Sequence, residues 1–366
     1  MATKNQHYVP QVYIKAWETT VYSIREPKKP FSGVYYYKKN NLSIGDGRNK
    51  RTILANNHTY TIGYDYAFLM TKCPALKQDF VNKIQNILKE RKVIAKYNTK
   101  TLTNTKSIVE SFPYLEDWDF TDLTGIPVKK KAIINSIKEI RSYCIENRFS
   151  SYMESNWEST LNKFLSPFPT IDGTGEIEYS FPKTECISDM LNMVALMMCR
   201  NPAFDLLGVF SWLENDFLQP VFSQWQDENQ SNAAIGELMR GLWLNEIYRG
   251  LFGVGKGFVG SFLSSAMANL GVMIFRVRNK WEGSFITSDS PVVYHSVAVE
   301  AQNCNGIYFP LTPYFLLFLG KRSDGNIGDV VFRTVGNGDI KRLNRIILNS
   351  SNHSIVSISK HLGYML

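Results

Sequence analysis

The sequence predicts an α+β protein: a helical middle region packed with a mostly antiparallel C-terminal sheet, and a basic, β-rich N-terminal segment. Apolar residues three to four positions apart dominate the middle of the chain, which is typical of helices. Short β-branched and aromatic runs near both ends favour strands instead. We expect regions 1–100, 101–252 and 253–366 to form one compact unit, because no linker rich in Pro, Gly or Ser separates them.

Helical periodicity recurs along the chain and is clearest over Thr184–Arg200, where Asn201-Pro202 ends the pattern. The other predicted helices begin near Ala75 and cover Pro127–Asn147, 151–165, about 204–218, about 232–252 and Asp339–Leu348.

The strands are predicted from aromatic and β-branched content. They cover Ser32–Lys39, Gly271–Val277 with Ser284–Thr287 as its partner, Ile307–Leu311, Tyr314–Leu319 and Ser354–Ser357. The polar, glycine-bearing stretch Asn40–Arg51 is predicted to be an exposed loop.

Composition excludes several classes of protein. With 366 residues, 44% hydrophobic and 20% charged, the chain is neither disordered nor a disulfide-dense miniprotein. No apolar run reaches membrane-spanning length and no signal-peptide core is found, so we expect a cytoplasmic protein without membrane contact. The five cysteines are scattered and HExxH and GxSxG are missing, so no metal and no cofactor is predicted.

Charge is divided unevenly along the chain. Residues 1–100 hold 18 basic and 6 acidic side chains, residues 101–250 hold 12 and 21, and residues 251–366 hold 11 and 6. The basic first hundred residues also contain ten of the nineteen tyrosines. Because cations bind phosphates and aromatic rings stack on unpaired bases, we expect a nucleic-acid partner, RNA rather than DNA. The residues expected to contact it are Tyr36, Lys38, Lys39, Arg48, Lys50 and Arg51.

A carboxylate interrupts an apolar stretch at Phe285–Val292, where Asp289 follows one predicted strand and precedes another apolar run. A carboxylate placed this near a core needs a partner. One interpretation is a functional group. The other is an Asx-type turn in which Asp289 accepts hydrogen bonds from nearby backbone amides.

Five segments resemble the signatures of the DUF4238 family, in the same order and across nearly the whole chain. They are His7-Tyr8-Val9-Pro10-Gln11, Arg200-Asn201-Pro202, Phe285–Val292, Phe309–Pro313 and Leu343-Asn344. Two positions depart from the family pattern: Asn201 stands where the family often has Thr, and Ser290 where it often has Asn. The resemblance implies a bacterial or phage-associated protein and a set of candidate positions, and it implies no reaction.

These positions suggest one site. His7 can exchange a proton, Asp289 can orient it or act as a base, and Arg200 can bind an anion. Ser288 and Asn344 can donate hydrogen bonds, and Glu158 is a secondary candidate, although Glu154 and Glu158 at i, i+4 are typical of a solvated helix face.

Two functions therefore remain open. The first is a metal-independent RNA nuclease acting in bacterial or phage defence, with His7, Asp289 and Arg200 supplying acid–base catalysis and charge stabilisation. The second is a binding or sensing protein without catalysis, in which Arg200 pairs with Asp289 and His7 anchors the N-terminal segment. A homo-oligomer is compatible with either function.

Overall fold

The computed structural model describes most of the chain. The described residues are 5–57, 59–60, 62–63, 74–142, 144–168, 178–182, 185–201, 239–241, 243–244, 247, 249–251, 257–295, 306–320 and 329–366. Their mixture of helices and mainly antiparallel sheets confirms the α+β prediction. The helix predicted near 204–218 lies outside the described residues, and the described positions between 239 and 251 are helical.

The helices cluster in the middle of the chain, as the periodicity predicts. They are α1 (Gln11–Ile14), α2 (Pro74–Glu90), α3 (Thr105–Ser111), α4 (Lys131–Lys138), α5 (Cys144–Arg148), α6 (Ser155–Leu165), α7 (Glu185–Arg200), α8 (Gly257–Asn269) and α9 (Asn337–Ser350). A π-helical turn, Phe149–Glu154, leads into α6. The prediction of one helix over Pro127–Asn147 is wrong, because Arg141–Ser142 leaves the helix to pair with Ile62–Gly63.

In the described part of the chain, the strands form two larger sheets and three small ones. They are β1 (Asn5–His7), β2 (Thr19–Tyr22), β3 (Pro30–Lys38), β4 (Asn41–Arg48), β5 (Ala55–Asn57), β6 (Ile62–Gly63), β7 (Val93–Tyr97), β8 (Lys100–Thr101), β9 (Asp119–Asp122), β10 (Arg141–Ser142), β11 (Glu178–Pro182), β12 (Gly271–Val277), β13 (Thr287–Ser288), β14 (Val293–His295), β15 (Gly306–Thr312), β16 (Phe315–Gly320), β17 (Asp329–Val335) and β18 (Ser354–Ser357). One sheet has the order β11-β17-β12-β16-β15-β14, and the other has β13-β18-β3-β2 with β4 on β3.

The predicted loop Asn40–Arg51 is mostly a strand, so that prediction is wrong. β4 pairs with β3 in an antiparallel hairpin. Its glycines permit close packing that a larger residue would prevent: a Cβ at Gly45 would lie 2.6 Å from the Tyr37 ring, and one at Gly47 would lie 2.6 Å from the carbonyl oxygen of Tyr22. Gly45 and Gly47, which in the sequence suggest a loop, therefore allow β4 to pack closely against Tyr37 and Tyr22.

The partner predicted for Gly271–Val277 is also wrong. Both edges of β12 are occupied, by β16 on one side and by β17 in parallel on the other. Only Thr287–Ser288 of the 284–287 segment forms a strand, and it pairs with β18 in the other sheet. The chain thus enters the second sheet at β13, just before Asp289, and returns to the first sheet at β14.

The hydrophobic core draws on all three predicted regions of the chain. Val9, Phe80, Leu191, Phe309 and Val356 belong to a single buried cluster. Within it, the Tyr13 hydroxyl lies 2.7 Å from Thr287 Oγ1 and donates to the Pro310 carbonyl at 2.7 Å. No helix of the described chain is long and apolar enough to cross a membrane.

Candidate functional site

Arg200 is the centre of a buried polar cluster at the end of α7. Its side chain is 0% exposed. Nε and Nη2 both donate to the carbonyl oxygen of His7, at 2.8 and 2.5 Å. Nη1 lies 2.8 Å from Glu154 Oε1, and the guanidinium stacks over the ring of Phe149 at 4.4 Å. The forked cation therefore joins the N-terminal segment, the π-helical turn and α7.

The ion-pair partner of Arg200 is Glu154, so the predicted Arg200–Asp289 pair is wrong. The prediction that Glu154 shares a solvated face with Glu158 also fails. Glu154 ends a π-helical turn, whose wider i to i+5 spacing changes the direction of the side chains around it. Glu158 is exposed and forms only a surface pair with Lys15 at 3.4 Å.

Two further groups complete the electrostatics around Arg200. The Tyr60 hydroxyl donates to the Arg200 carbonyl at 2.5 Å, and burial raises the pKa of this phenol. Burial also raises the pKa of the Glu146 carboxyl, and the Arg200 charge acts against that rise. For Arg200, burial favours a lower pKa, but Tyr60, Glu154 and Glu146 outweigh it and the pKa is raised. Arg200 stays charged.

His7 contributes its backbone to this cluster more than its ring. The ring is half-buried, with Nδ1 3.3 Å from Gln11 Nε2, and Nε2 has no hydrogen-bond partner among the described residues. Burial and the Arg200 charge lower the pKa of His7, against smaller raising effects from Glu154 and the backbone at Lys50 and Arg51. The imidazole is therefore neutral at pH 7.

Because the pKa of His7 is lowered in the folded protein, the free energy of unfolding should decrease as the pH falls. The unfolded chain takes up the proton first as pH falls, so the contribution of neutral His7 is complete above its usual pKa of 6.5 and is lost below it. We expect unfolding free energies measured from about pH 7 to about pH 5 to fall more steeply for the wild type than for His7→Gln. Glu146 has the opposite sign, because its pKa is raised, but it is common to both proteins. The exposed His361→Gln serves as the control, and equal slopes for wild type and His7→Gln would contradict the assignment.

Asp289 is a structural acceptor in this fold. Its side chain is 2% exposed, and its carboxylate accepts three backbone N–H groups: Asn352 at 2.9 Å, His353 at 2.6 Å and Ser354 at 3.1 Å. The Asp289 amide in turn donates to the Ser354 carbonyl at 3.1 Å. The Asx-type interpretation, with amides from nearby in the chain, is therefore wrong: the three amides belong to a segment 63 to 65 positions away. Asp289 holds the turn that follows α9.

Ser288 and Asn344 also bond within the protein. Ser288 Oγ donates to the Ser290 carbonyl at 2.9 Å and accepts from the Ser290 amide at 3.1 Å. The Asn344 side chain accepts from the Ile286 amide and donates to the carbonyls of Ser284 and Met365. Both side chains are buried, so these contacts position the segment that leads into Asp289.

The predicted meeting of His7, Arg200 and Asp289 is only partly realised. His7 and Arg200 touch. Asp289 is reached through Asn201, whose Nδ2 donates to the Asp289 carbonyl at 3.0 Å. The carboxylate itself points to the 352–354 turn. The three residues thus support two neighbouring structures, the Arg200 cluster and the turn after α9.

A surface cleft of about 430 Å³ opens beside that turn. Its lining residues are Tyr36, Lys38, Lys39, Asn40, Asn352 and His353. Lys39 binds one wall to the other: its amide donates to the His353 carbonyl at 2.8 Å, and its Nζ donates to the carbonyls of Asn349 and Ser351 at 2.9 and 2.6 Å. Carbonyls do not neutralise an ammonium group, so the cleft keeps the positive charge of its lysines.

The predicted nucleic-acid-binding residues separate into two groups. Tyr36, Lys38 and Lys39 line the cleft. Arg48 is paired with Asp46 at 2.6 Å and Lys50 with Glu18 at 2.5 Å, while Arg51 is exposed on the turn after β4. Sequence reasoning missed Tyr60, Asn352 and His353 and gave Glu154 only a solvated-face role, because their partners lie far away along the chain and leave no local spacing.

A family model described as a protein of unknown function (DUF4238) matches residues 5–250 and 256–361 of the chain. The chain belongs to the DUF4238 family. Comparisons with curated proteins and with solved structures give no match.

In this DUF4238 protein, the five segments that carry the family resemblance are joined by hydrogen bonds. Arg200 holds the His7 carbonyl, Asn201 holds the Asp289 carbonyl, and Asn344 holds the Ile286 amide. Tyr13, just after the first segment, reaches the Pro310 carbonyl of the fourth. Positions scattered over 338 residues of chain, from His7 to Asn344, thus form one continuous buried network.

The described part of this DUF4238 protein contains no group of three or more His, Cys, Asp or Glu side chains that is arranged to hold a metal ion. The acidic groups near Arg200 are Glu146 and Glu154, and both interact with its guanidinium.

Proposed function

We propose that this DUF4238 protein is a non-catalytic nucleic-acid-binding protein that holds RNA in the cleft beside β3 and the turn after α9. The observation that supports the proposal is the lining of that cleft, which combines two lysines and a histidine with an aromatic ring and two amides. Lysines bind phosphates as point charges, and aromatic rings and amides contact unpaired bases. The setting we propose is bacterial or phage defence, with binding as the sensing step.

The dimensions of the cleft suit a small portion of a nucleic acid. A volume of about 430 Å³ lies in the lower part of the range for small-molecule sites, about 300–1,000 Å³. That is room for a nucleotide unit rather than for a duplex. Lys38 and His353 are exposed at its rim, and this exposure supports their proposed role as phosphate contacts.

Burial favours this binding role over catalysis. Arg200 and Asp289 are 0% and 2% exposed, and their charged atoms already contact protein groups. A phosphate that approaches from solvent would have to displace these contacts. Cleavage of RNA without metal is the second candidate, favoured by one observation: His7 Nε2 is buried beside the Arg200 cluster with no hydrogen-bond partner in the described chain.

The test uses labelled RNA and DNA with Lys38→Ala/His353→Ala. Loss of both side chains is expected to weaken binding, and loss of the Lys38 charge is expected to flatten the salt dependence by about 0.7 for a single strand. Lys106→Ala, which removes an 83% exposed charge on α3, is the matched control and should bind as the wild type does. Unchanged affinity and salt slope in the double variant would refute the cleft as the binding site. Denaturing gels of the same RNA in EDTA are expected to show intact strands, and cleavage lost in His7→Ala would favour the nuclease instead.

A further inference from the structure

Two aromatic side chains on segments bonded to α9 are exposed to solvent. Trp281 is 85% exposed and Tyr364 is 81% exposed. Asn344 holds both of their segments, because its Nδ2 donates to the carbonyls of Ser284 and Met365, each at 2.9 Å. Chain geometry then limits the separation of the two aromatic residues to about 25 Å. We call this pair the aromatic platform.

Helix α9 connects the aromatic platform with the cleft. Its 14 residues span about 21 Å, at 1.5 Å per residue. Lys341, Arg345 and Asn349 follow one another at i, i+4 and therefore share a face. The main-chain carbonyl of Asn349 accepts from Lys39 in the cleft wall, and Arg345 Nε donates to the main-chain oxygen of Leu366, two residues after Tyr364. The helix thus contacts both features, the cleft wall at its C-terminal end and the Tyr364 segment at Arg345.

The charges along this route favour a polyanion. Lys341 and Arg345 lie on the helix, and Lys280 stands next to Trp281. The two acidic side chains nearby are paired with other arginines: Asp339 with Arg342 at 3.4 Å, and Glu282 with Arg278 at 2.9 Å. Lys280 lies over the Tyr314 ring at 5.4 Å, and together with Lys341 and Arg345 it adds a positive field around the helix.

We infer that the ligand is a single-stranded nucleic acid that leaves the cleft, follows α9 and stacks bases on Trp281 and Tyr364. The inference rests on the proposed function and adds to it the strand state and a second contact surface. Bases in a duplex are already stacked on one another, so only an unpaired strand has base faces to offer. A large exposed aromatic surface with cations beside it is the arrangement that single-strand binding uses.

The experiment measures binding of RNA strands of about 12 and about 2 nucleotides and of a duplex of about 12 base pairs; the longer strand lies within the known range of single-strand sites. The longer strand spans cleft and platform, whereas the shorter one fills the cleft alone. Wild type is expected to bind the longer strand best. Trp281→Ala/Tyr364→Ala should weaken that binding by at least about tenfold and leave the shorter strand unaffected. Tyr114→Ala, which removes a 52% exposed ring elsewhere, is the matched control.

A second measurement, tryptophan fluorescence, reports directly on the ring of Trp281. The longer strand should quench tryptophan fluorescence in the wild type, and the quenching should be smaller in Trp281→Phe. If the platform variant binds the longer strand like the wild type while Lys38→Ala/His353→Ala weakens it, the inference is overturned and the proposed function stands. Equal affinity for duplex and single strand also overturns the inference. If the cleft variant binds all three probes normally, the proposed function itself fails.

Discussion

Arg200→Ala is expected to lower the free energy of unfolding by about 3–5 kcal/mol, the cost of breaking a buried ion pair by removing one partner. The guanidinium holds the His7 carbonyl and the Glu154 carboxylate and packs on Phe149. Without it, a half-buried carboxylate and a buried carbonyl lose their donor, and a cavity opens against the ring. Urea or guanidinium unfolding followed by circular dichroism measures the change.

Two variants separate the buried pair from charge in general. Arg200→Lys keeps the charge but not the fork, so it should recover only part of the lost stability. Lys15→Ala breaks the exposed pair with Glu158 and should change the unfolding free energy by less than about 0.5 kcal/mol. A loss below about 1 kcal/mol in Arg200→Ala would contradict the structural role assigned to this residue.

Asp289→Ala is expected to cost about 3 kcal/mol, because it leaves three backbone N–H groups around residues 352–354 without their acceptor. The effect should be local as well as global. Hydrogen exchange at the amides of Asn352, His353 and Ser354 should accelerate, because these donors would be exposed to solvent.

Asp289→Asn is the matched control, since it keeps the side-chain shape and one acceptor oxygen. It should lie between the wild type and Asp289→Ala in both stability and exchange. Because Asn352 and His353 line the cleft, RNA affinity should fall in the same order. Unchanged exchange at residues 352–354 in Asp289→Ala would show that the carboxylate does not hold this turn.

Together these contacts explain how a buried network shapes a surface cleft. Asp289 positions the turn after α9, and Lys39 ties β3 to the same turn. The cleft is therefore shaped by residues that no ligand touches. Substitutions in the network should act on binding through geometry, whereas those of Lys38 and His353 should act on it through contact.

Local sequence information is sufficient to predict a helix or strand when the burial of that one element sets its pattern of apolar side chains. The stripe over Thr184–Arg200 predicts α7 and its end, and the β-branched runs predict β12, β15, β16 and β18. These predictions hold because side-chain periodicity reports which face of a helix or strand is buried. The sequence also singles out His7, Arg200 and Asp289, as family-like residues at element ends.

Only the tertiary structure decided what those residues contact. Arg200 pairs with Glu154, 46 positions before it, and Asp289 meets amides that are 63 to 65 positions away in the chain. The hairpin partner of β3 was hidden because Gly45 and Gly47 are needed for close packing rather than for a loop. A sequence specifies which groups need partners through their polarity, but which partner each one finds depends on long-range packing, and so the cleft beside α9 exists only in the folded chain.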